Sequence, residues 1–243
     1  MKAMVFAAGI GSRLRPLTLE KPKALVEVGG RPVIEHVLRH LDNYGCRDII
    51  INLHHFPEQV KKFLEENNNF GLNLTFSEES ELLDTGGGLK KASWFFGEKP
   101  FILYNADILS NLNINNLVDF HNMHDGLATL VVRQRKSSRY LLLDENKRLL
   151  GWEDSRSNYR KMPVKIAKFD RFAFSGIHVL DPDVFQFFPG KKKFSMINFY
   201  LNLIKSHRIY GFIDHNSYWF DIGTIEKLQQ ADDFFRRMDG KEV

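Results

Sequence analysis

The segment Val5-Phe6-Ala7-Ala8-Gly9-Ile10-Gly11-Ser12-Arg13-Leu14-Arg15-Pro16-Leu17-Thr18, closed by Lys21-Pro22-Lys23, carries groups suited to holding phosphate. Gly9 and Gly11 interrupt the chain after an apolar run. Without a Cβ they let a ligand approach the main chain, and they accept the positive φ that turns successive N–H groups inward. Arg13 offers a planar fork that matches phosphate oxygens, and Lys23 a point charge on a flexible stem. Pro16 and Pro22 stiffen the loop and reduce the entropy lost when it orders around a ligand. Ala7, Ala8 and Ser12 complete the stretch of main chain that such a ligand would meet. The dinucleotide fingerprint is not met, because Leu14 stands where its third glycine belongs, and no Gly-Lys-Ser/Thr follows to make a P-loop.

Further along lie other groups with chemistry. Asn105-Ala106-Asp107 follows the apolar residues Phe101 to Tyr104, so Asp107 is either a turn or capping aspartate or a ligand in the crevice at the end of a strand. Asp221, after Trp219-Phe220 and before Ile222-Gly223-Thr224, is likewise a cap or a ligand. Gly86-Gly87-Gly88 reads either as a flexible turn or as a helix opening against which a flat ring or a phosphate could lie. Gly176, inside Phe172 to Val179, marks a bulge or a ligand's close approach. The neighbouring His54 and His55 diverge and have no third ligand at a matching spacing, so no metal is assigned to them. Cys46 sits at a helix-to-strand junction and reads as packing.

The elements that must position these groups follow from hydrophobic spacing. Ala3 to Ala8 reads as a buried strand and Ala24 to Val28 as another. Pro32 opens a helix whose Val33, Ile34, Val37, Leu38 and Leu41 form one apolar stripe, ended near Gly45. Arg47 to Leu53 is a strand, Pro57 to Asn67 a helix, and Leu72 to Phe76 a strand. The triple glycine is expected to open a helix over Leu89 to Phe96. A helix over Asn115 to Asp125 and a strand over Leu127 to Val132 follow. Tyr140 to Asp144 and Arg148 to Trp152 read as a hairpin, and Ser155 to Lys168 as a basic loop. Asp181-Pro182-Asp183 starts a helix, Ser195 to Ser206 is another, and Arg208 to Ile213 is a strand. The last helix shows Ile225, Leu228, Ala231 and Phe235 on one face. No repeat or linker interrupts this order, so residues 1–243 read as a single domain whose character changes at about residue 133.

The 243 residues suffice for one large core, and 43% hydrophobic with 26% charged residues is ordinary for a globular protein. A net charge of +4 and a pI of about 9.0 fit a polyanionic small substrate. No basic, aromatic-studded module points to nucleic acid. A lone cysteine excludes an internal disulfide and favours a cytoplasmic setting. No apolar stretch approaches the length of a membrane span, and no leader is recognised, so no membrane partner is expected.

The string Gly9-x-Gly11-x-Arg13-x-x-Pro16-x-Thr18-x-x-x-Pro22-Lys23 resembles the signature of the sugar-1-phosphate nucleotidyltransferases, the nucleotide-sugar pyrophosphorylases. The resemblance extends from Lys2 to about Arg237. It implies a Rossmann-like three-layer α/β/α sandwich with a mixed central sheet. It also implies attack by a sugar 1-phosphate on the α-phosphorus of a nucleoside triphosphate, with release of pyrophosphate. On that resemblance Asp107 and Asp221 would carry Mg²⁺, Arg13 would hold the departing pyrophosphate, and Lys23 would neutralise the α-phosphate. Ala7 to Gly11, Ser12, Gly86, Gly87 and Asn105 would contact the nucleotide, and Glu153 and Gly176 the sugar phosphate. The chain departs from the Glu-Lys-Pro string of many members, reading Gly151-Trp152-Glu153-Asp154-Ser155-Arg156 instead. That leaves the sugar-phosphate cation open among Arg156, Arg160, Lys165 and Lys168. Asp84-Thr85-Gly86-Gly87-Gly88 and the hairpin ending at Asp154 resemble the N-acetylmuramate-1-phosphate uridylyltransferase branch. UTP and N-acetylmuramate 1-phosphate are the substrates this implies, in peptidoglycan recycling. The alternative is a mannose- or heptose-1-phosphate guanylyltransferase, and a different class would be a catalytically silent nucleotide-sugar-binding regulator. The left-handed β-helix domain of some relatives is not expected, and the protein is expected as a monomer or homodimer.

Overall fold

The computed structural model describes residues 1–239. An apolar run between short polar flanks makes β1 (Lys2–Phe6), and Ala7 and Ala8 already belong to the loop beyond it. Residues 23–25 form a 3₁₀ turn rather than the start of a strand, leaving only β2 (Glu27–Val28), paired with β3 (Arg31–Pro32). The apolar stripe gives α1 (Val33–Asn43), closed by Tyr44 and by Gly45 at φ +73. β4 (Asp48–Leu53), α2 (Pro57–Glu66) and β5 (Asn73–Glu78) follow. The next elements are α3 (Asp84–Lys91), β6 (Phe101–Asn105), β7 (Ile108–Ser110) and α4 (Ile114–Asn122). Then come β8 (Ala128–Arg133), β9 (Arg139–Leu143), β10 (Leu149–Asp154), β11 (Tyr159–Lys161) and β12 (Asp170–Leu180). The described chain closes with α5 (Met196–Leu203), β13 (Ile209–Ile213), β14 (Trp219–Asp221) and α6 (Ile225–Asp239).

The chain gathers into two compact units that interleave in sequence. The first takes residues 1–82, 104–111 and 218 onward. In it β1 pairs in parallel with β4, and β4 with β5, while β7 and β14 form a short antiparallel ladder. Its core includes a cluster of Leu14, Val26, Val28, Val33, Leu109, Ile222 and Ala231, with Phe220, Leu228 and Phe235 packed against it. Leu14 is fully buried there and acts as the peg of the glycine loop. Burying a side chain of this size contributes about 1.5–3 kcal/mol towards holding the short turn in place.

The second unit takes residues 83–103 and 112–217. β12 pairs antiparallel with both β8 and β9, β9 with β10 and β10 with β11, while β13 joins β8 in parallel. The tract read as a loop over 155–168 therefore contains a strand, β11. The triple glycine does not precede its helix but lies inside it, because α3 begins at Asp84. Asp181 accepts from the Asp183 N–H, but the turn it caps is 3₁₀.

Candidate active site

In the first unit, the loop after β1 leads into a 3₁₀ turn over Ser12 to Leu14. Gly11 enters it at φ +69, and a Cβ there would lie 3.0 Å from Thr18 Cγ2 and 3.1 Å from Lys23 Cβ. The Thr18 hydroxyl donates to the Gly11 carbonyl at 2.8 Å, so the loop folds back on the stem of Lys23. Leu14 turns inward and leaves Ser12 and Arg13 exposed on the opposite side. At Gly9 a Cβ would meet nothing within 4 Å, so the loop keeps open space above its main chain. The Ala7 N–H is already engaged, donating to Asn52 Oδ1 at 2.9 Å. Asn52 in turn donates to Glu79 Oε1 at 2.7 Å, and both side chains are buried.

The β7–β14 ladder brings the carboxylates into one neighbourhood. Asp221 stands opposite Ile108, and the Ile222 N–H donates to the Asp107 carbonyl at 2.8 Å. Leu109, two residues after Asp107, and Ile222, next to Asp221, sit in the same core cluster as Leu14. Loop and carboxylates are thus fixed by one packed core. Lys23 Nζ donates to Asp107 Oδ2 at 2.5 Å, and Lys227 Nζ to Asp221 Oδ2 at 2.6 Å. A Cβ on Gly223 would stand 2.7 Å from Asp221 Oδ1 and 3.2 Å from Arg13 Nη2, so Arg13 and Asp221 flank the same glycine. Asn105 ends β6, half-buried and two residues before Asp107. Arg13, Lys23, Asn105, Asp107 and Asp221 therefore share one unit with the glycine loop.

The donor set fits a hard cation. Among the described residues no group of three or more His, Cys, Asp and Glu side chains could hold a metal. Mg²⁺ does not need one, because it commonly takes one or two carboxylates and completes its shell with phosphate oxygens and water. His54 and His55 are spent on main-chain carbonyls of Glu79 and Thr18. Cys46 is buried, and burial pushes its thiol up to about 11, so it is no nucleophile.

The remaining expected contacts, Gly86, Gly87, Glu153 and Gly176, lie in the second unit. The Gly86 and Gly87 N–H groups both donate to the Phe194 carbonyl, at 2.8 and 3.2 Å. A Cβ on Gly86 would fall 2.3 Å from the Phe194 ring, and one on Gly87 2.2 Å from the Lys192 carbonyl. The chain's own segment 192–194 thus packs closely against both glycines. Gly176 takes φ +81 where the β12–β8 register shifts between Phe174 and His178, which makes it a bulge. Glu153 is buried with both oxygens engaged: Oε2 by Arg160 Nε and Nη2 at 3.0 and 2.9 Å, Oε1 by Arg171 Nε at 3.1 Å. Its charge is neutralised within the unit, and it orients two guanidinium groups rather than reaching outward. Arg156 lies against Asp154 at 3.5 Å, while Lys165 and Lys168 are exposed.

Sequence reasoning passed over Asn52, Glu79 and Lys227. Asn52 left a trace as the one polar residue in Ile49-Ile50-Ile51-Asn52-Leu53. Lys227 left one as a cation in the first turn of a helix, where the dipole disfavours it.

Comparison with known proteins now decides the family, since the Nucleotidyl transferase model matches residues 2–237. The chain belongs to the Nucleotidyl transferase family. It is 31% identical over 227 residues to a mannose-1-phosphate guanyltransferase of Pichia angusta, covering 92% of this chain and 61% of that protein. It is 26% identical over 248 residues to a UTP–glucose-1-phosphate uridylyltransferase of Synechocystis, covering 95% of this chain and 62% of that protein. The chain thus spans about three-fifths of the length of these relatives. The inositol-1-phosphate CTP transferase structure from T. maritima superposes with a TM-score of 0.77 at 17% identity, covering 98% of this chain and 95% of the other. That likeness places the chain in the nucleotide-diphospho-sugar transferase α/β fold, with the mixed central sheet expected from the sequence.

Proposed function

We propose that the protein transfers a nucleoside monophosphate from a nucleoside triphosphate to a sugar 1-phosphate and releases pyrophosphate. The observation that carries this reading is the grouping of Arg13, Lys23, Asp107 and Asp221 around one core, next to a glycine loop open above Gly9. A phosphate oxygen of the sugar phosphate forms the new bond to Pα, and the bond from Pα to the β-phosphate oxygen breaks. The nucleophile is already an anion, so no protein base or covalent intermediate is needed. Positioning and charge neutralisation supply the catalysis. Arg13 binds the departing pyrophosphate, and Lys23 meets charge building on the α-phosphate. Asp107 and Asp221 would hold Mg²⁺, which when bound draws charge from the phosphate oxygens. Asn105 and the main chain from Ala8 to Ser12 line the nucleotide side. Within the second unit, Arg160 and Arg171, oriented by Glu153, offer a pair of cations of the kind a sugar phosphate needs.

For the substrate pair, the relatives favour the alternative over the first expectation. They include mannose-1-phosphate guanyltransferases and a glucose-1-phosphate uridylyltransferase. N-acetylmuramate 1-phosphate gains no support from them, so we take guanylyl transfer to mannose 1-phosphate as the leading pair. A cytoplasmic setting belongs to the same proposal, supported by the single unpaired Cys46. The test is a matrix of nucleoside triphosphates against sugar 1-phosphates, read by pyrophosphate release. GTP with mannose 1-phosphate is expected to exceed UTP with N-acetylmuramate 1-phosphate by about tenfold in kcat/KM, or about 1.4 kcal/mol. The reverse order overturns the substrate pair alone. Nucleotide binding without pyrophosphate release from any pair overturns the reaction and favours the regulatory reading.

A further inference from the structure

Lys227 has no part in the reaction as described, yet its position is costly. Thr224 Oγ1 accepts from the Lys227 N–H at 3.4 Å and the Leu228 N–H donates to the Thr224 carbonyl, which makes Thr224 the cap and Lys227 the third residue of α6. That position favours Glu or Gln, which close a capping box, and the positive end of the helix dipole repels a lysine there. The compensation is Asp221: Lys227 Nζ holds Oδ2 at 2.6 Å, while Oδ1 faces Gly223 beside Arg13. Of the carboxylate's two oxygens, one is therefore taken by an ammonium that stands where a metal ion would bind. The Lys227 side chain remains 43% exposed, so its flexible stem can swing away without unpacking the core.

We infer that Lys227 is an internal stand-in for the divalent cation, holding Asp221 in place until the ion displaces its ammonium. This rests on the reading of Asp221 as a cation ligand. It makes Lys227 a positioning residue that competes with the metal. The exchange releases a positive charge beside Arg13 as the ion arrives, and the freed ammonium remains available to phosphate oxygens. The test is Mn²⁺ titrated into nucleotide-free protein and read by electron paramagnetic resonance of the unbound ion. Lys227→Met is expected to bind Mn²⁺ about two- to fivefold more tightly than wild type, the range for a half-exposed ion pair. Lys227→Arg keeps the competing charge and is expected to stay near wild type. Lys62→Met, which removes an exposed lysine on α2, is expected to change nothing. Unchanged or weaker Mn²⁺ binding in Lys227→Met overturns the inference, as does equal tightening in Lys62→Met. Asp221→Asn separates the two levels: if it keeps full Mn²⁺ affinity, or if wild type binds no Mn²⁺, the cation-ligand reading falls and the inference with it.

Discussion

Replacing Gly223 with alanine tests the placement of Asp221 with a single added methyl group. The backbone at Gly223 does not lie at positive φ, so alanine carries no conformational strain there and the effect is steric. The new Cβ would start 2.7 Å from Asp221 Oδ1 and 3.2 Å from Arg13 Nη2. Opening the first of these to an ordinary 3.4 Å contact moves the carboxylate by about 0.7 Å, and the guanidinium must give slightly as well. Misplacement of a reacting group by about 1 Å costs on the order of a hundredfold, so kcat is expected to fall about ten- to a hundredfold. Asp221 is half-buried and its side chain can yield, so the loss of stability should stay near about 1 kcal/mol, or a fall in Tm of about 2–4 °C. Pyrophosphate release gives kcat, thermal unfolding gives Tm, and Mn²⁺ binding reports on the carboxylate directly. A folded Gly223→Ala variant with kcat within about twofold of wild type would refute the claim that the position of Asp221 matters to the reaction.

Asp107→Ala and Asp221→Ala are each expected to lower kcat by about a hundredfold or more while circular dichroism stays unchanged, and excess chelator should abolish the activity. Lys23→Met should depress kcat more than it raises KM for the nucleotide, because the charge it meets grows as pyrophosphate leaves; steady-state kinetics separate the two. Gly87→Ala should destabilise the second unit by about 1–3 kcal/mol in chemical unfolding, because the added Cβ would stand 2.2 Å from the Lys192 carbonyl oxygen. Burial beside Tyr200 lowers the His178 pKa to about 3, against 6.5 ordinarily. The unfolded chain therefore takes up the proton first, and stability is expected to fall as pH drops below about 6.5 towards 3, by up to about 1.4 kcal/mol per pH unit. His178→Gln should flatten that slope in unfolding titrations.

The glycine loop, Lys23 and the two aspartates were legible because their signals are local. A glycine pair after an apolar strand, and a carboxylate just past a strand end, need no knowledge of the rest of the chain. What stayed hidden depends on distant partners. Glycines have no preference for helix, and α3 runs through Gly86 to Gly88 because segment 192–194 docks against it more than a hundred residues later. Gly176 was visible as an anomaly, but bulge and ligand contact differ only in the register of a neighbouring strand. Tyr159-Arg160-Lys161 is too short and polar to declare itself a strand, so the pairing that sets Arg160 against Glu153 could not be foreseen. Ala24 and Leu25 lie in a 3₁₀ turn where a strand was expected, since Pro22 sets the entry to that stretch and Lys23 packs near Gly11.

The core cluster that joins Leu14 to Ile222 and Ala231 sets an order in time as well as in space. Gly29 donates to Asp232 Oδ1, and His36 meets the Phe235 ring, so several early segments are finished by α6. At about 5–20 residues per second, the ribosome delivers Ala231 roughly 10–40 s after Leu14. Throughout that interval the peg of the glycine loop lacks much of its socket, and Arg13 has no Asp221 beside it. These contacts are among the most distant in sequence that the chain makes, and long-range closure of this kind is slow. The contacts that join the glycine loop to β14 and α6 can therefore form only once α6 has emerged.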